Sequence, residues 1–165
     1  MYRTHHCNEI RKSHAGETVT LSGWVNTVRD QGGVIFIDIR DREGVTQCVF
    51  RSEENAEAAK LSHTLRNEDV IQVTGRVDGR PEIDGQSTVN EKIETGGVEV
   101  VATKLKILNK AEVLPFQLDK ELSNEDLRMK HRYLDLRRPR MTRNLRARHA
   151  ITKALRDGLD ENGFA

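Results

Sequence analysis

The sequence predicts a mainly β fold: a small five-stranded barrel with one helix between its third and fourth strands, followed by a hinge and a basic α-helix. Three observations carry that prediction. Five short apolar stretches, separated by polar turns that contain glycine, fill residues 1–108. One stretch of helical spacing interrupts them after the third. Past Leu108 the composition shifts, with Pro115 and Pro139 breaking the chain and 11 Lys/Arg between Arg128 and Arg156 against Asp135 alone.

Glu17 to Arg29 reads as the first strand because Val19 and Leu21 alternate ahead of Trp24-Val25, with Gly23 where a bulge bends the strand. Gly32-Gly33 signals a turn, Val34 to Arg40 is the second strand, and Val45 to Phe50 is the third. The loop between those two, Asp41-Arg42-Glu43-Gly44, is short enough to make them a hairpin. Ser52 stands as a helix N-cap with Glu53 and Glu54 in the first turn, and Ala58, Leu61 and Leu65 supply the apolar positions. Val70 to Val77 and Val98 to Leu108 complete the strands, with the polar stretch from Asp78 to Gly97 as a long loop. Five strands with a helix after the third is the order of an OB-fold, a barrel whose central strands and loops commonly bind oligonucleotides. Other small barrels share that order, and a fold does not fix a function.

Residues 1–108 are therefore expected to form the barrel domain. Residues 109–127 read as a linker with a short helix, in which Asp119, Glu121, Glu125 and Asp126 crowd together. Within 128–165, Pro139 breaks the chain, and Thr142 to Asn162 carries Leu145, Ile151, Ala154, Leu155 and Leu159 at helical spacing, with Gly163 as the C-cap. That amphipathic basic helix has nothing evident in the sequence to pack against.

A chain of 165 residues holds one core and a remainder, which excludes a large multi-domain enzyme for these residues. The longest apolar runs, such as Val34-Ile35-Phe36-Ile37, are far too short to span a membrane. The polar start, Met1-Tyr2-Arg3-Thr4-His5-His6, leads into no apolar region of a signal peptide. Two cysteines, Cys7 and Cys48, are too few for a disulfide scaffold, so a cytoplasmic chain with free thiols is expected. The net charge of +1 hides an asymmetry: residues 1–110 carry 15 basic and 17 acidic side chains, residues 111–165 carry 12 and 9. A polyanion partner for the basic segment and a merely solvated helix face both remain open.

The hairpin gives the most specific argument about chemistry. If Arg40 pairs with Val45, then Asp38 faces Gln47 and Phe36 faces Val49 on one side of the sheet, while Ile35, Ile37 and Ile39 meet Thr46, Cys48 and Phe50 on the other. The second set is the core face, which leaves Phe36, Asp38, Arg40 and Gln47 more exposed. A ring beside an amide on an exposed sheet suits an unstacked base: the ring stacks, and the amide both donates and accepts. Equally, the 78–97 loop could cover Phe36 and Gln47 could simply be solvated. His5, His6, Cys7 and His14 lie near one another in sequence, but adjacent ligands do not converge on one ion, and no metal is expected. Trp24 beside Gly23 is expected in the core, and Cys48 as a small buried hydrophobe. No nucleotide-binding or hydrolase motif accompanies these residues, so no catalytic residue is named.

Leu21-Ser22-Gly23-Trp24-Val25, Val28-Arg29-Asp30, the run from Gly33 to Gly44, and Arg132-Tyr133-Leu134-Asp135-Leu136-Arg137-Arg138-Pro139 together resemble the amino-terminal part of bacterial-type aspartyl-tRNA synthetases. The likeness runs along essentially the whole chain. The lysine and asparagine enzymes of class II share the barrel and the Gly-Trp-Val strand, but the last motif followed by a basic helix favours the aspartate family.

That resemblance implies an OB-fold that binds the tRNA anticodon, a hinge, and the start of a class II catalytic domain, with a homodimer in the full-length enzyme. It implies ATP and Mg²⁺ as requirements of that enzyme, none of them for this piece. By the same resemblance Phe36 stacks on the central uridine, Gln47 reads it, Arg29 contacts the anticodon loop, and Glu99 meets the first anticodon base. Arg80 and Asn90 fall at anticodon-loop contacts, and Asp78 stands where the family often carries an arginine. Within 128–165 the catalytic domain would begin in the Arg132 to Pro139 region and the helix up to Gly163-Phe164 resembles the first half of motif 1, with motifs 2 and 3 absent, so the expectation is a fragment that binds tRNA for aspartate and does not activate the amino acid. Whether tRNA for asparagine is also bound stays open. A free-standing single-strand-binding OB protein, or an interaction protein working through the 128–156 helix, are the alternatives.

Overall fold

The alternation of apolar residues that marks the strands in the sequence is the alternation that the barrel buries. The computed structural model describes residues 2–83, 85–120 and 124–164, without the side chain of Ile83. Met1, Asp84 in the 78–97 loop and Glu121 in the acidic cluster lie outside the described residues. The chain divides into two units, one ending at Glu112 and the other beginning at Val113.

In the first unit, strands β1 (Thr18–Gln31), β2 (Val34–Arg40), β3 (Val45–Phe50), β4 (Val70–Gly79) and β7 (Val98–Asn109) close a barrel in the order β1-β2-β3-β7-β4. Helix α1 (Ala56–Ser62) stands between β3 and β4, as expected of an OB-fold. Val19, Leu21, Val25, Ile35, Ile37, Ile39, Cys48, Phe50, Ile71, Val73 and Val77 are fully or almost fully buried inside. Burial of each such side chain stabilises by about 1.5–3 kcal/mol, so the barrel interior dominates the stability of this unit.

The hairpin register is the one expected, with Arg40 opposite Val45, Asp38 opposite Gln47 and Phe36 opposite Val49. Asp41 holds its loop: its amide donates to Gly44 O at 3.0 Å while its Oδ1 accepts from the amides of Glu43 and Gly44. At the β1–β2 turn, Gly32 and Gly33 both take positive φ (63° and 90°), the geometry that a two-residue hairpin turn demands. β1 is long enough to serve two neighbours, pairing with β4 over Thr18–Trp24 and with β2 from Trp24 on. A Cβ on Gly23 would lie 2.3 Å from Arg40 O, so glycine is required there by close approach, while the bulge itself falls between Val25 and Thr27.

Three local expectations are corrected. Helix α1 begins at Ala56, because Asn55 rather than Ser52 caps it, its Oδ1 accepting from the Ala58 amide at 2.8 Å. The 78–97 loop contains a small hairpin, β5 (Glu82–Ile83) with β6 (Gln86–Ser87). Trp24 is outside the core. It points opposite to Val25 and is half-buried, with the Arg40 guanidinium 5.8 Å from its ring centroid.

The second unit has its own small core, Phe116, Leu118 and Leu134 packed with Leu114 and Leu127. Part of the expected linker is thus packed rather than loose. Helices α2 (Glu125–Lys130), α3 (Arg132–Asp135) and α4 (Pro139–Glu161) follow. Pro139 does not break α4 but opens it, since a first-turn residue needs no amide hydrogen. Gly163, with φ 77°, ends the helix as expected. The fully buried Asp135 carboxylate receives Arg128, Arg132 and Arg138, the last two standing three residues to either side of it in the Arg-Tyr-Leu-Asp-Leu-Arg-Arg run.

Candidate nucleic-acid interface

Pairing between strands assembles the candidate site. β2 and β1 place Arg29 opposite Phe36, and β2 and β3 place Asp38 opposite Gln47. β3 then runs parallel to β7 for two residue pairs, Cys48 with Val100 and Val49 with Val101, which sets Gln47 beside Glu99. The result is one continuous chain of hydrogen bonds. Arg29 Nη2 donates to Asp38 Oδ1 at 2.9 Å and to Gln47 Oε1 at 3.1 Å, and Gln47 Nε2 donates to Glu99 Oε2 at 3.0 Å. Arg51 Nη2 lies 3.5 Å from the other Glu99 oxygen.

Phe36 is half-buried on this face, and Arg29 is exposed beside it. Gln47 departs from expectation: it is only 4 % exposed, because Glu99 and Arg29 close around it. Glu99 is likewise buried, and burial pushes its carboxyl above the ordinary carboxylate range, partly offset by Arg51, Gln47 and Arg80. Asp38 is pushed the same way by burial, with Arg29 and Arg80 opposing.

Arg80 sits in the field of both acids. Burial lowers its affinity for a proton, while Glu99 and Asp38 raise it. Its Nη1 donates to Thr88 O at 3.0 Å and its Nε to Val98 O at 3.4 Å. Its Nη2 is the one buried side-chain polar atom among the described residues with no hydrogen-bond partner. A buried donor left open is costly, and an acceptor supplied by a ligand would remove that cost. Asn90, by contrast, is occupied locally. Its Oδ1 accepts from the Lys92 amide at 3.1 Å, and its backbone pairs with Gly96. Asp78, opposite Glu99 on β4, is held by Arg76 through bonds of 2.9 and 2.8 Å.

The residues expected at the site are Arg29, Phe36, Gln47, Arg80, Asn90 and Glu99. Hydrogen bonds join Arg29, Gln47 and Glu99, register adds Phe36, and electrostatics adds Arg80. Asp38 and Arg51 belong to the same network and were not named as site residues. Register arithmetic already put Asp38 on that face, whereas nothing local marks Arg51.

The histidines at the start of the chain do something else. Among the described residues His5, His14 and Glu17 form the group with metal-ligand chemistry. The His14 Nδ1 lone pair is engaged by the Arg11 amide at 3.0 Å, which leaves its proton on Nε2, the form that donates rather than ligates. His6 Nδ1 and the Cys7 amide both bind Asp41 Oδ2, at 2.8 and 3.0 Å, and so tie the N-terminal segment to the barrel. Cys7 and Cys48 are buried, and burial pushes both thiols up, so neither is poised as a nucleophile. No helix among the described residues is long and apolar enough to cross a membrane.

Residues 19–108 match the family model for an OB-fold nucleic acid binding domain, and residues 124–165 match that for class II tRNA synthetases (D, K and N). The chain is 53% identical over 164 residues to an aspartate–tRNA(Asp/Asn) ligase of Magnetococcus marinus, covering 99% of this chain and 26% of that protein. It is 46% identical over 164 residues to the ligase of the same name from Bacillus subtilis, covering 98% and 27%. Among solved structures, asparaginyl-tRNA synthetase from Pyrococcus horikoshii superposes with a TM-score of 0.82 at 26% identity, covering 99% of this chain and 36% of that one. The chain thus spans about a quarter of the length of the curated relatives it matches.

Proposed function

Because this chain belongs to the OB-fold nucleic acid binding domains and runs on from residue 124 into the class II tRNA synthetases, we propose that its barrel binds the anticodon of a tRNA. The observation that carries this reading is the chain of bonds Asp38–Arg29–Gln47–Glu99 lying beside the partly exposed ring of Phe36. An aromatic platform next to a held amide offers stacking and edge reading to the same unstacked base. In this reading Phe36 stacks on the central base and Gln47 reads its edge. Glu99 meets the first base, Arg29 grips the loop, and Arg80 gives its open Nη2 to an RNA oxygen. Asn90 then shapes its loop rather than touching a base.

The whole protein, by the same proposal, is an aspartate–tRNA ligase that works in the cytoplasm as a homodimer. Residues 109–127 serve as its hinge and 128–165 begin its catalytic domain. Its tRNA would be that for aspartate, and the names of the relatives extend the choice to asparagine. ATP and Mg²⁺ go with that activity. The His5, His14 and Glu17 group does not suit Mg²⁺, which prefers carboxylate oxygens in octahedral geometry. The adenylating residues of such a ligase would therefore lie in the length of the relatives that this chain does not match.

The test is titration of a stem-loop with a GUC anticodon against wild type and Phe36→Ala, next to an unrelated single strand of equal length. Loss of one stacked base costs about 1–3 kcal/mol, so the variant should bind roughly 5- to 150-fold more weakly. Equal affinity of the two proteins for the stem-loop refutes the reading. Equal affinity of wild type for both RNAs favours a non-specific single-strand binder instead.

A further inference from the structure

The corner that leads into β4 is built at a cost. Glu68 is the one residue other than glycine with a positive φ (69°) among the described residues, and such a conformation persists only where its surroundings over-determine it. That is the case at this corner. The Glu68 amide donates to Val25 O at 2.7 Å, the Val25 amide donates to Asp69 O at 2.9 Å, and the buried Glu68 carboxylate meets Arg40 at 2.5 Å. What the corner presents is the fully buried carboxylate of Asp69, bonded to its own loop through the Arg66 amide at 3.0 Å. Its other partners lie beyond the last strand. The β4–β7 ladder ends at the pair Val70 and Asn109, yet Asp69 Oδ1 accepts from the Ala111 amide at 2.8 Å and Oδ2 from Lys110 Nζ at 3.1 Å. The same ammonium donates to Thr64 O at 2.8 Å.

We propose that Asp69 is a positioning residue: it carries the rigid body of the barrel through Ala111 and so confines the bending of the hinge to Glu112 and Val113. The inference rests on the reading of residues 109–127 as a hinge and narrows it. On the far side the chain is held again from Leu114, which packs with Phe116, Leu118 and Leu134. Between the two anchors Glu112 and Val113 are exposed, Val113 at 90 %, and neither makes a backbone hydrogen bond among the described residues. The amount of free chain is what this placement decides. Two residues reach at most about 7 Å, whereas a free coil over 109–127 would average about 22–26 Å. A carboxylate inside the barrel thereby sets the length of the tether that leaves it.

The experiment is backbone nitrogen-15 relaxation of the 165-residue chain, read as amide order parameters, which stand at about 0.85 in rigid backbone and below about 0.6 in flexible backbone. In wild type Lys110 and Ala111 should stand at about 0.85, Glu112 and Val113 below about 0.6, and Leu114 at about 0.85 again. In Asp69→Asn the low values should spread back over Lys110 and Ala111. Leu21→Ala is the control, because it opens a cavity in the barrel core away from this corner and should leave both residues ordered. Should Asp69→Asn fail to fold, Ala111→Pro deletes the bonded amide with every barrel side chain in place, and Lys110 should then fall below about 0.6. Low values elsewhere between 109 and 127 in wild type overturn the inference and leave the hinge reading intact. Low values that stay at Glu112 and Val113 in Asp69→Asn or in Ala111→Pro, or that spread as far in Leu21→Ala, also overturn it, since Asp69 then has no part of its own in placing the joint. Uniformly high order from 109 to 127 overturns the hinge reading itself.

Discussion

Asp69→Asn should remove a large part of the stability of the barrel while changing one atom. The carboxylate is fully buried at the entry to β4, where Oδ1 accepts from the Ala111 amide at 2.8 Å and Oδ2 from the Arg66 amide at 3.0 Å and from Lys110 Nζ at 3.1 Å. Asparagine keeps one oxygen for one of the two amides and turns an NH₂ group toward the other, leaving a donor facing a donor. A hydrogen bond to a charged group is worth about 1.5–3 kcal/mol, with a further penalty for the orphaned amide. The ion pair with the half-exposed Lys110 adds at most about 1 kcal/mol. A total of about 3 kcal/mol is a large share of the roughly 5–15 kcal/mol typical of a domain.

In urea at pH 7 that corresponds to a midpoint lower by about 2 M, and thermally to a drop of about 10 °C. The effect carries a pH signature. Burial works to raise the carboxyl of Asp69, but the Ala111 and Arg66 amides and Lys110 outweigh it and hold the group below its ordinary value of 3.8. A carboxylate lowered in the fold contributes stability that is full above the unfolded value and is lost as pH falls through the folded one. The gap between wild type and Asp69→Asn should therefore be constant from about pH 5 to 8 and close below about pH 3.8. Coincident urea curves at pH 7 would falsify this account of the β4 corner.

Two further outcomes are expected. Gly75→Ala would place a Cβ 2.2 Å from Val101 O, backbone against backbone, so β4 must part from β7, whereas Gly79→Ala meets open space. Circular-dichroism melts should show the first losing more than about 3 kcal/mol and the second less than about 1 kcal/mol. Glu99 is raised by burial above 4.5, and a raised carboxyl makes the fold bind protons more tightly than the unfolded chain, so its ionisation costs stability as pH rises through the folded value. Glu99→Gln should be the more stable protein at pH 7, with the advantage over wild type shrinking on acidification toward pH 4.5; an advantage that grows instead contradicts the assignment.

How far the sequence disclosed this structure depends on whether each feature is local. The β2–β3 hairpin was legible to the residue, since period-two alternation and a four-residue loop allow one register, and a slip by one would bury Asp38 and expose Ile37. Helix α1 is legible in the sequence but its first residue is not. Ser52, Glu53 and Glu54 look like a capped first turn, and only the structure shows Asn55 making the bond. Pro139 was read as a breaker because a proline inside a helix and a proline at its first position differ only in what precedes them. The burial of Gln47 could not be read from its neighbours, because the residue that covers it, Glu99, arrives through a parallel pairing of only two residue pairs. The outward position of Trp24 is hidden for a similar reason. β1 turns from β4 to β2 at that residue, and the strand alternation sends its ring outward.

The same brief parallel pairing has a consequence for synthesis on the ribosome. Gln47 and its partner Glu99 are 52 positions apart, and at about 5–20 residues per second the chain carries the first for about 3–10 s before the second is made. Throughout that interval β1–β2–β3 can exist with Arg29 on Gln47 Oε1, yet the outer edge of β3 stays unpaired and Gln47 Nε2 lacks its carboxylate. The Glu99 side of this network therefore forms only once β7 has left the exit tunnel and docked, so the pairing that completes the barrel also sets when the network is complete.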